Sequence, residues 1–255
     1  MIELKNITKA YGGLNVVNSI DLFVPEGELL VLLGESGCGK TTTLKMINRL
    51  IQPTSGEVKI DGKSNLDLPP SELRREIGYC FQKIGLFPHM TVANNIAITL
   101  GLLGWEKAKQ KERVIELLEL TELDPKIFYH RYPKELSGGQ AQRVAVARAL
   151  SAHPKVILFD EPFGKLDPLN RSHLQKEIQK IKEKVSFTGV FVTHDMMEAL
   201  LLGNRIAIMK KGSIVQIDTP KNIFNNPIDD YVASLIRAPK EQMKHLEATL
   251  KRGNS

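Results

Sequence analysis

Read only for apolar and polar positions, the chain falls into three stretches. Ile2–Lys9 alternates apolar and polar side chains, and Val16–Val24 repeats the pattern, as half-buried strands do. Pro25-Glu26-Gly27-Glu28 reads as a turn. Leu29-Leu30-Val31-Leu32-Leu33 then has no polar position, which suits a strand covered on both faces of a sheet. Beyond a glycine-rich loop, Thr41–Leu50 places Leu44, Ile47 and Leu50 near helical spacing, and Pro53 with Ser55-Gly56 ends that predicted helix. Glu57–Ile60 reads as a strand entering a hairpin turn at Asp61-Gly62. From 88 to 152 the periodicity is helical, with Val114, Leu117, Leu118 and Leu120 predicted on one face. Short apolar runs return at Val156–Phe159 and Val190–Val192, and strand pattern spans Ile206–Ile217 around Lys211-Gly212. Strand–helix alternation on both sides of a helical stretch predicts an α/β core with a helical insert, present in a single copy.

Composition narrows the classes. Of 255 residues, 42% are hydrophobic and 25% charged, so a buried core is affordable and a disordered chain is excluded. The longest apolar stretches, Leu29–Leu33 and Ile96–Trp105, are shorter than the roughly 20 residues of a spanning helix. Met1-Ile2-Glu3-Leu4-Lys5 opens as a strand and not as a secretory signal. Two cysteines, Cys38 and Cys80, make neither a disulfide framework nor a zinc cluster, and the expected compartment is reducing. The net charge of +6 comes from lysines and arginines spread along the chain. Their densest tract, Trp105–Arg113, also holds Glu106 and Glu112 and reads as a solvated helix face, so no nucleic-acid partner is expected.

The glycine-rich loop carries the first chemistry. Gly34-Glu35-Ser36-Gly37-Cys38-Gly39-Lys40-Thr41 fits G-x-x-x-x-G-K-[ST] between a buried strand and a helix. Glycines let successive N–H groups turn inward as an anion nest, Lys40 adds a positive charge at the terminal phosphates, and the helix start aims its dipole at them. Thr41 offers a hydroxyl to Mg²⁺. A metal carboxylate is expected at the carboxyl end of another buried strand, and Val156-Ile157-Leu158-Phe159-Asp160-Glu161 supplies one. Asp160 is positioned to hold Mg²⁺, directly or through water, and Glu161 to orient and deprotonate an attacking water. Cys38 reads as a small space-filling residue in this loop.

Leu136-Ser137-Gly138-Gly139-Gln140 resembles the signature of ATP-binding cassette (ABC) ATPases. Ser137 suits an N-cap, and Gly138 and Gly139 expose backbone N–H groups at a helix start, a second anion site in the chain. The resemblance runs from about Met1 to Ile236 with its motifs in family order. It implies that Tyr11 stacks on adenine, that Thr42 joins the phosphate loop, and that Gln82 reaches the metal and the attacking water. It further implies that Gly164-Lys165-Leu166-Asp167 is the D-loop and that His194 contacts the γ-phosphate. The implied fold is a P-loop NTPase cassette over 1–237, with a RecA-like core and an antiparallel β subdomain (1–87 and 153–237). A helical subdomain (88–152) carries the signature, and a short charged tail (238–255) follows.

The resemblance also implies a mechanism. Two copies, head to tail, sandwich two ATP molecules with Mg²⁺, each between one phosphate loop and the partner's Ser137–Gln140. Closure drives permease subunits at the cytoplasmic membrane face, and a solute-binding protein takes part indirectly. Leu44–Ile51, Ile84–Val92 and Glu161-Pro162-Phe163-Gly164 look like importers of glycine betaine, choline, carnitine and related osmoprotectants. Another importer, or a lipid or export system, is the alternative. Glu35, Lys165 and Ala141-Gln142-Arg143 depart from common family choices without removing a group the chemistry needs. With the chain ending at Ser255, no paired regulatory domains of the cystathionine-β-synthase type are expected.

Overall fold

A computed structural model of the chain describes residues 1–164, 166–237 and 239–241. Lys165 of the D-loop stretch, and the charged tail apart from 239–241, lie outside the described residues.

Two sheets follow from the two strand patterns. The alternating strands β1 (Ile2–Tyr11) and β2 (Leu14–Val24) pair antiparallel, from Ile2 opposite Val24 to Tyr11 opposite Leu14. β4 (Ser55–Ile60) pairs with the other edge of β1, and β5 (Lys63–Ser64) closes a hairpin through the Asp61-Gly62 turn, giving the order β2-β1-β4-β5. The second sheet holds β3 (Leu29–Leu33), β6 (Ile77–Cys80), β7 (Val156–Asp160), β8 (Thr188–Thr193), β9 (Arg205–Lys210) and β10 (Ser213–Asp218), in the order β10-β9-β3-β8-β7-β6. Only β10 runs antiparallel to its neighbour.

Side chains alternate across a strand, so a wholly apolar strand feeds two cores. Leu29, Val31 and Leu33 enter one core with Ile157, Phe159, Phe191 and Ile206. Leu30 and Leu32 enter the other with Leu158, Val190, Val192 and Ala207, beneath β1, β2 and α1 (Lys40–Ile47). The first core is roofed by α3 (Val92–Leu102), α4 (Lys107–Leu120), α6 (Gly138–Leu150), α7 (Pro168–Lys184) and α8 (Met196–Leu202). The short helices α2 (Pro70–Glu76), α5 (Pro125–Phe128) and α9 (Pro220–Asn225) complete the named elements, and a further helix covers 230–237.

Three expectations change. The helix after the phosphate loop ends at Ile47, and Leu50 is exposed. Arg49 adopts φ 55°, which breaks the helical path, and Arg74 of α2 takes over the freed carbonyls of Asn48 and Arg49 at 3.2 and 2.6 Å. The tract Trp105–Arg113 is not uniformly a solvated face: Arg113 is buried and donates to the carbonyls of Ser151 and Leu150 at the end of α6. It therefore serves as a C-terminal cap for α6. Finally, Leu120 is only half-buried, while Val114, Leu117 and Leu118 are fully inside.

Candidate functional site

Sheet order gathers residues that the sequence scatters. β3, β8, β7 and β6 lie side by side and parallel, with Leu33 level with Thr193, Asp160 with Val192, and Cys80 with Phe159. The segments that leave their carboxyl ends are the phosphate loop, His194, Glu161 and Gln82. Ligands of open α/β sheets bind at this edge.

In the phosphate loop, two glycines are required by close approach. A Cβ at Gly34 would stand 2.3 Å from the Met209 carbonyl oxygen, and one at Gly39, where φ is +107°, 2.6 Å from that of Val16. The β9–β10 turn braces the loop from behind, since the Gly212 N–H donates to the Cys38 carbonyl at 3.0 Å. Gly39 caps α1 without a side-chain acceptor and the first turn holds no acid. Among the described residues, the N–H groups of Thr41 and Thr42 have no acceptor, and that of Lys40 faces the Cys38 sulfur. Such free donors at a helix start fit a polyphosphate. Lys40 is buried and its Nζ donates to the Gly34 and Glu35 carbonyls at 2.7 and 2.8 Å. Burial outweighs the Lys40 charge at Cys38 and pushes its thiol up, consistent with a space-filling role.

The Thr41 hydroxyl donates to Asp160 Oδ1 at 2.7 Å, which joins the two expected metal ligands directly. Asp160 is buried, and its second oxygen accepts from the Tyr79 hydroxyl at 3.2 Å. Burial, with the Asp160 charge behind it, holds the Tyr79 phenol above the usual range, so it is a proton donor here. Among the described residues no three His, Cys, Asp or Glu side chains are placed to hold a metal ion together. The donors brought together are one hydroxyl and one carboxylate, with the expected Gln82 amide bonded instead to Glu161. That set suits Mg²⁺, which keeps waters and substrate phosphates in its octahedron and uses few protein ligands.

Glu161 sits at φ 45°, held by its N–H to the Val192 carbonyl at 3.1 Å and by the Gly164 N–H on its own carbonyl at 3.2 Å. A non-glycine residue held in that region is a feature of sites where a side chain must be aimed. Its Oε2 accepts from Gln82 Nε2 at 3.2 Å and lies 3.4 Å from His194 Nδ1. The His194 turn is pinned by Thr193, whose hydroxyl donates to Glu198 Oε2 at 2.5 Å and accepts the Asp195 N–H at 3.0 Å.

Other expected residues stand elsewhere. Tyr11 ends β1, half exposed, with Lys9 Nζ 4.9 Å from its ring centre. Ser137 caps α6 in a reciprocal box with Gln140, the two bonds being 3.3 and 3.0 Å. Asn170 crowds Gly139 and donates twice to Asp167, which caps α7. Among the described residues no hydrogen bond links Ser137–Gln140 to the phosphate loop.

Sequence reading missed Tyr79, Asn95 and Arg148. Asn95 is fully buried and ties the loop 87–91, accepting from the Phe87 N–H and donating to the carbonyls of Phe87, Met90 and Thr91. Arg148 of α6 donates to the Gly85 and Ile84 carbonyls at 2.8 and 3.2 Å. Beside this loop lies a groove of about 840 Å³ with Phe81, Phe87 and Leu102 among basic side chains, Arg74, Lys83 and Arg148.

The ABC transporter family matches residues 17–164. The chain belongs to this family. It is 53% identical over 237 residues to the glycine betaine/carnitine/choline transport ATP-binding protein OpuCA of Bacillus subtilis, covering 92% of this chain and 62% of that one. It is 49% identical over 241 residues to the osmoprotectant import ATP-binding protein OsmV of Salmonella typhimurium, covering 92% and 63%. This ABC chain therefore spans less than two thirds of the length of these relatives. Its fold is that of the ATP-binding cassette MJ0796, whose dimeric post-hydrolysis structure bound to ADP and Pi superposes with TM-score 0.77. Identity is 35%, over 86% of this chain and 99% of that one.

Proposed function

We propose that this chain is the ATP-hydrolysing subunit of a membrane importer for an osmoprotectant such as glycine betaine, choline or carnitine. The observation that carries the reading is the convergence of Lys40, Thr41, Asp160, Glu161, Gln82 and His194 at one sheet edge, beside free backbone donors. The relatives' names support the solute class.

The residues divide the work by position. Backbone N–H groups of 34–42 and Lys40 Nζ bind the phosphates, and Tyr11 stacks on the base. Thr41 and Asp160, with the Gln82 amide, hold Mg²⁺, which when bound neutralises charge between the terminal phosphates. Glu161 Oε2 accepts a proton from the attacking water, while Gln82 and His194, both already beside that oxygen, orient the water and the γ-phosphate. Ser137, Gly138, Gly139 and Gln140 contact the nucleotide held by a second copy, with Asp167 at the same face. This reading takes 1–237 as one cassette, with 88–152 its helical part, on the cytoplasmic face of the membrane. The groove beside Phe81 and Phe87 receives a short helix of the permease.

Glu161→Gln tests the mechanism. The variant is expected to bind MgATP, to hydrolyse it at least about a hundredfold more slowly, and to run as an ATP-dependent dimer on size exclusion. Brisk turnover would remove Glu161 as the base. Uptake of labelled glycine betaine, choline and carnitine into vesicles holding the chain with its permease tests the solute. Uptake of an unrelated solute or of lipid, with none of these, would transfer the cassette to another transporter.

A further inference from the structure

We propose that Tyr79 is a positioning residue for the metal carboxylate: its hydroxyl fixes Asp160 Oδ2 so that Oδ1 faces Thr41 and the cation. The inference rests on the nucleotide reading above. Asp160 is 3% exposed and carries two defined partners, Thr41 Oγ1 on one oxygen at 2.7 Å and Tyr79 OH on the other at 3.2 Å. A carboxylate with a free second oxygen can rotate about its terminal bond, and either oxygen then meets the metal. A donor on Oδ2 removes that freedom before any cation arrives.

The fold holds the donor in place. Tyr79 stands in β6, with its backbone level with Leu158 of β7, so the two side chains share one face of the sheet. Its ring packs against Phe81 at 4.4 Å between centroids, tilted by 48°. Phe81 is 41% exposed and lines the groove, as Tyr79 itself does. One tyrosine thus touches both the surface where a partner helix would sit and the carboxylate that holds the metal. Hydrogen-bonded partners of metal ligands orient them, and losing one typically costs about 10–100-fold in metal affinity.

Tyr79→Phe keeps the ring and deletes the donor. Mn²⁺ serves as the probe, read by electron paramagnetic resonance in the presence of a non-hydrolysable ATP analogue. Mn²⁺ affinity of the variant is expected to fall by about tenfold. Binding of a fluorescent ATP analogue in EDTA should stay within about twofold, since the phosphate loop and Tyr11 are untouched. 3-Fluorotyrosine at position 79, which restores the hydroxyl on a ring altered only by one fluorine, should return Mn²⁺ affinity to within about twofold of the natural chain. Equal Mn²⁺ affinity in Tyr79→Phe and the natural chain overturns the assignment, as does failure of the fluorinated ring to restore it. Absence of nucleotide binding in the natural chain would instead sink the nucleotide reading itself.

Discussion

Glu177 offers a quantitative test of how α6 and α7 are joined. It lies on α7, 2% exposed, beside Arg143 of α6. Its Oε1 is ion-paired with the Arg143 guanidinium. Glu122, itself paired with Lys180 at 2.7 Å, adds repulsion. Burial is the leading cause that pushes the Glu177 carboxyl up to about 7 from an ordinary 4.5, with Arg143 and Lys180 pulling the other way. A carboxyl whose folded value is raised binds its proton more tightly in the native state. Its contribution to stability is full below pH 4.5 and is lost as pH rises to about 7. At 1.36 kcal/mol per pH interval of one, the loss is about 3 kcal/mol, with the opposing pull of Arg143 already included, and it is an upper value because water reaching the pair screens it. Glu177→Gln removes the titration and preserves the volume. Urea unfolding of both proteins at pH 5 and pH 8 measures it, because the carboxylates shared by both cancel in the difference. The variant's stability relative to the natural chain should rise by about 2–3 kcal/mol between the two pH values. A difference constant to within about 0.5 kcal/mol would refute the view that Glu177 is held against its ionised form.

Gly34→Ala brings a Cβ against the Met209 carbonyl and the Cys38 sulfur, so ATP affinity should drop by at least about tenfold, with stability reduced by about 1–3 kcal/mol. Equilibrium nucleotide titration and urea unfolding check both. Asn95→Ala strips hydrogen bonds from Phe87, Met90 and Thr91 and should cost about 2–3 kcal/mol in unfolding free energy. It should also abolish stimulation of hydrolysis by the permease while sparing nucleotide affinity. Because burial pushes both thiols up, Cys80 to about 12, iodoacetamide at pH 7.5 should modify the native chain far more slowly than the urea-unfolded one. Equal rates would place the thiols outside the interior.

What was legible in the sequence was what local pattern controls. The run Leu29–Leu33 announces a strand with two covered faces because every position is apolar, and the structure sends alternate residues into different cores. The phosphate loop, Asp160 and Glu161 stood out as candidates because their spacing follows a motif, and the structure brings them to one sheet edge. Less accessible were residues whose role is set by a distant partner. Nothing local marks Tyr79 as a donor, since its acceptor lies 81 positions away in the next strand. β6 has only four residues and no clear period, so its pairing with β7 decides its conformation. Arg113 sits among exposed charges on α4, and only the packing of α6 shows that its guanidinium serves as a cap. The overrun of α1 to Leu50 has the same cause, because periodicity continues past the point where Arg49 turns and Arg74 takes over the carbonyls.

The arginines of α6 bear on how the two ends of the site communicate. Arg143 joins α6 to α7 through Glu177, and α7 is capped by Asp167, whose hydrogen-bond donor Asn170 packs on Gly139. One turn and a half further along α6, Arg148 grips the carbonyls of Ile84 and Gly85, two and three residues beyond Gln82. A single helix thus carries the signature at its amino end and, near its carboxyl end, holds the loop that brings Gln82 to Glu161. On the proposed function, a permease helix in the groove would press on the held loop and therefore on α6, and the nucleotide of a second copy at Ser137 would press on the same helix from the other end. Removing Arg148 should uncouple the two effects while leaving each binding event intact, which separates a shared helix from two independent sites.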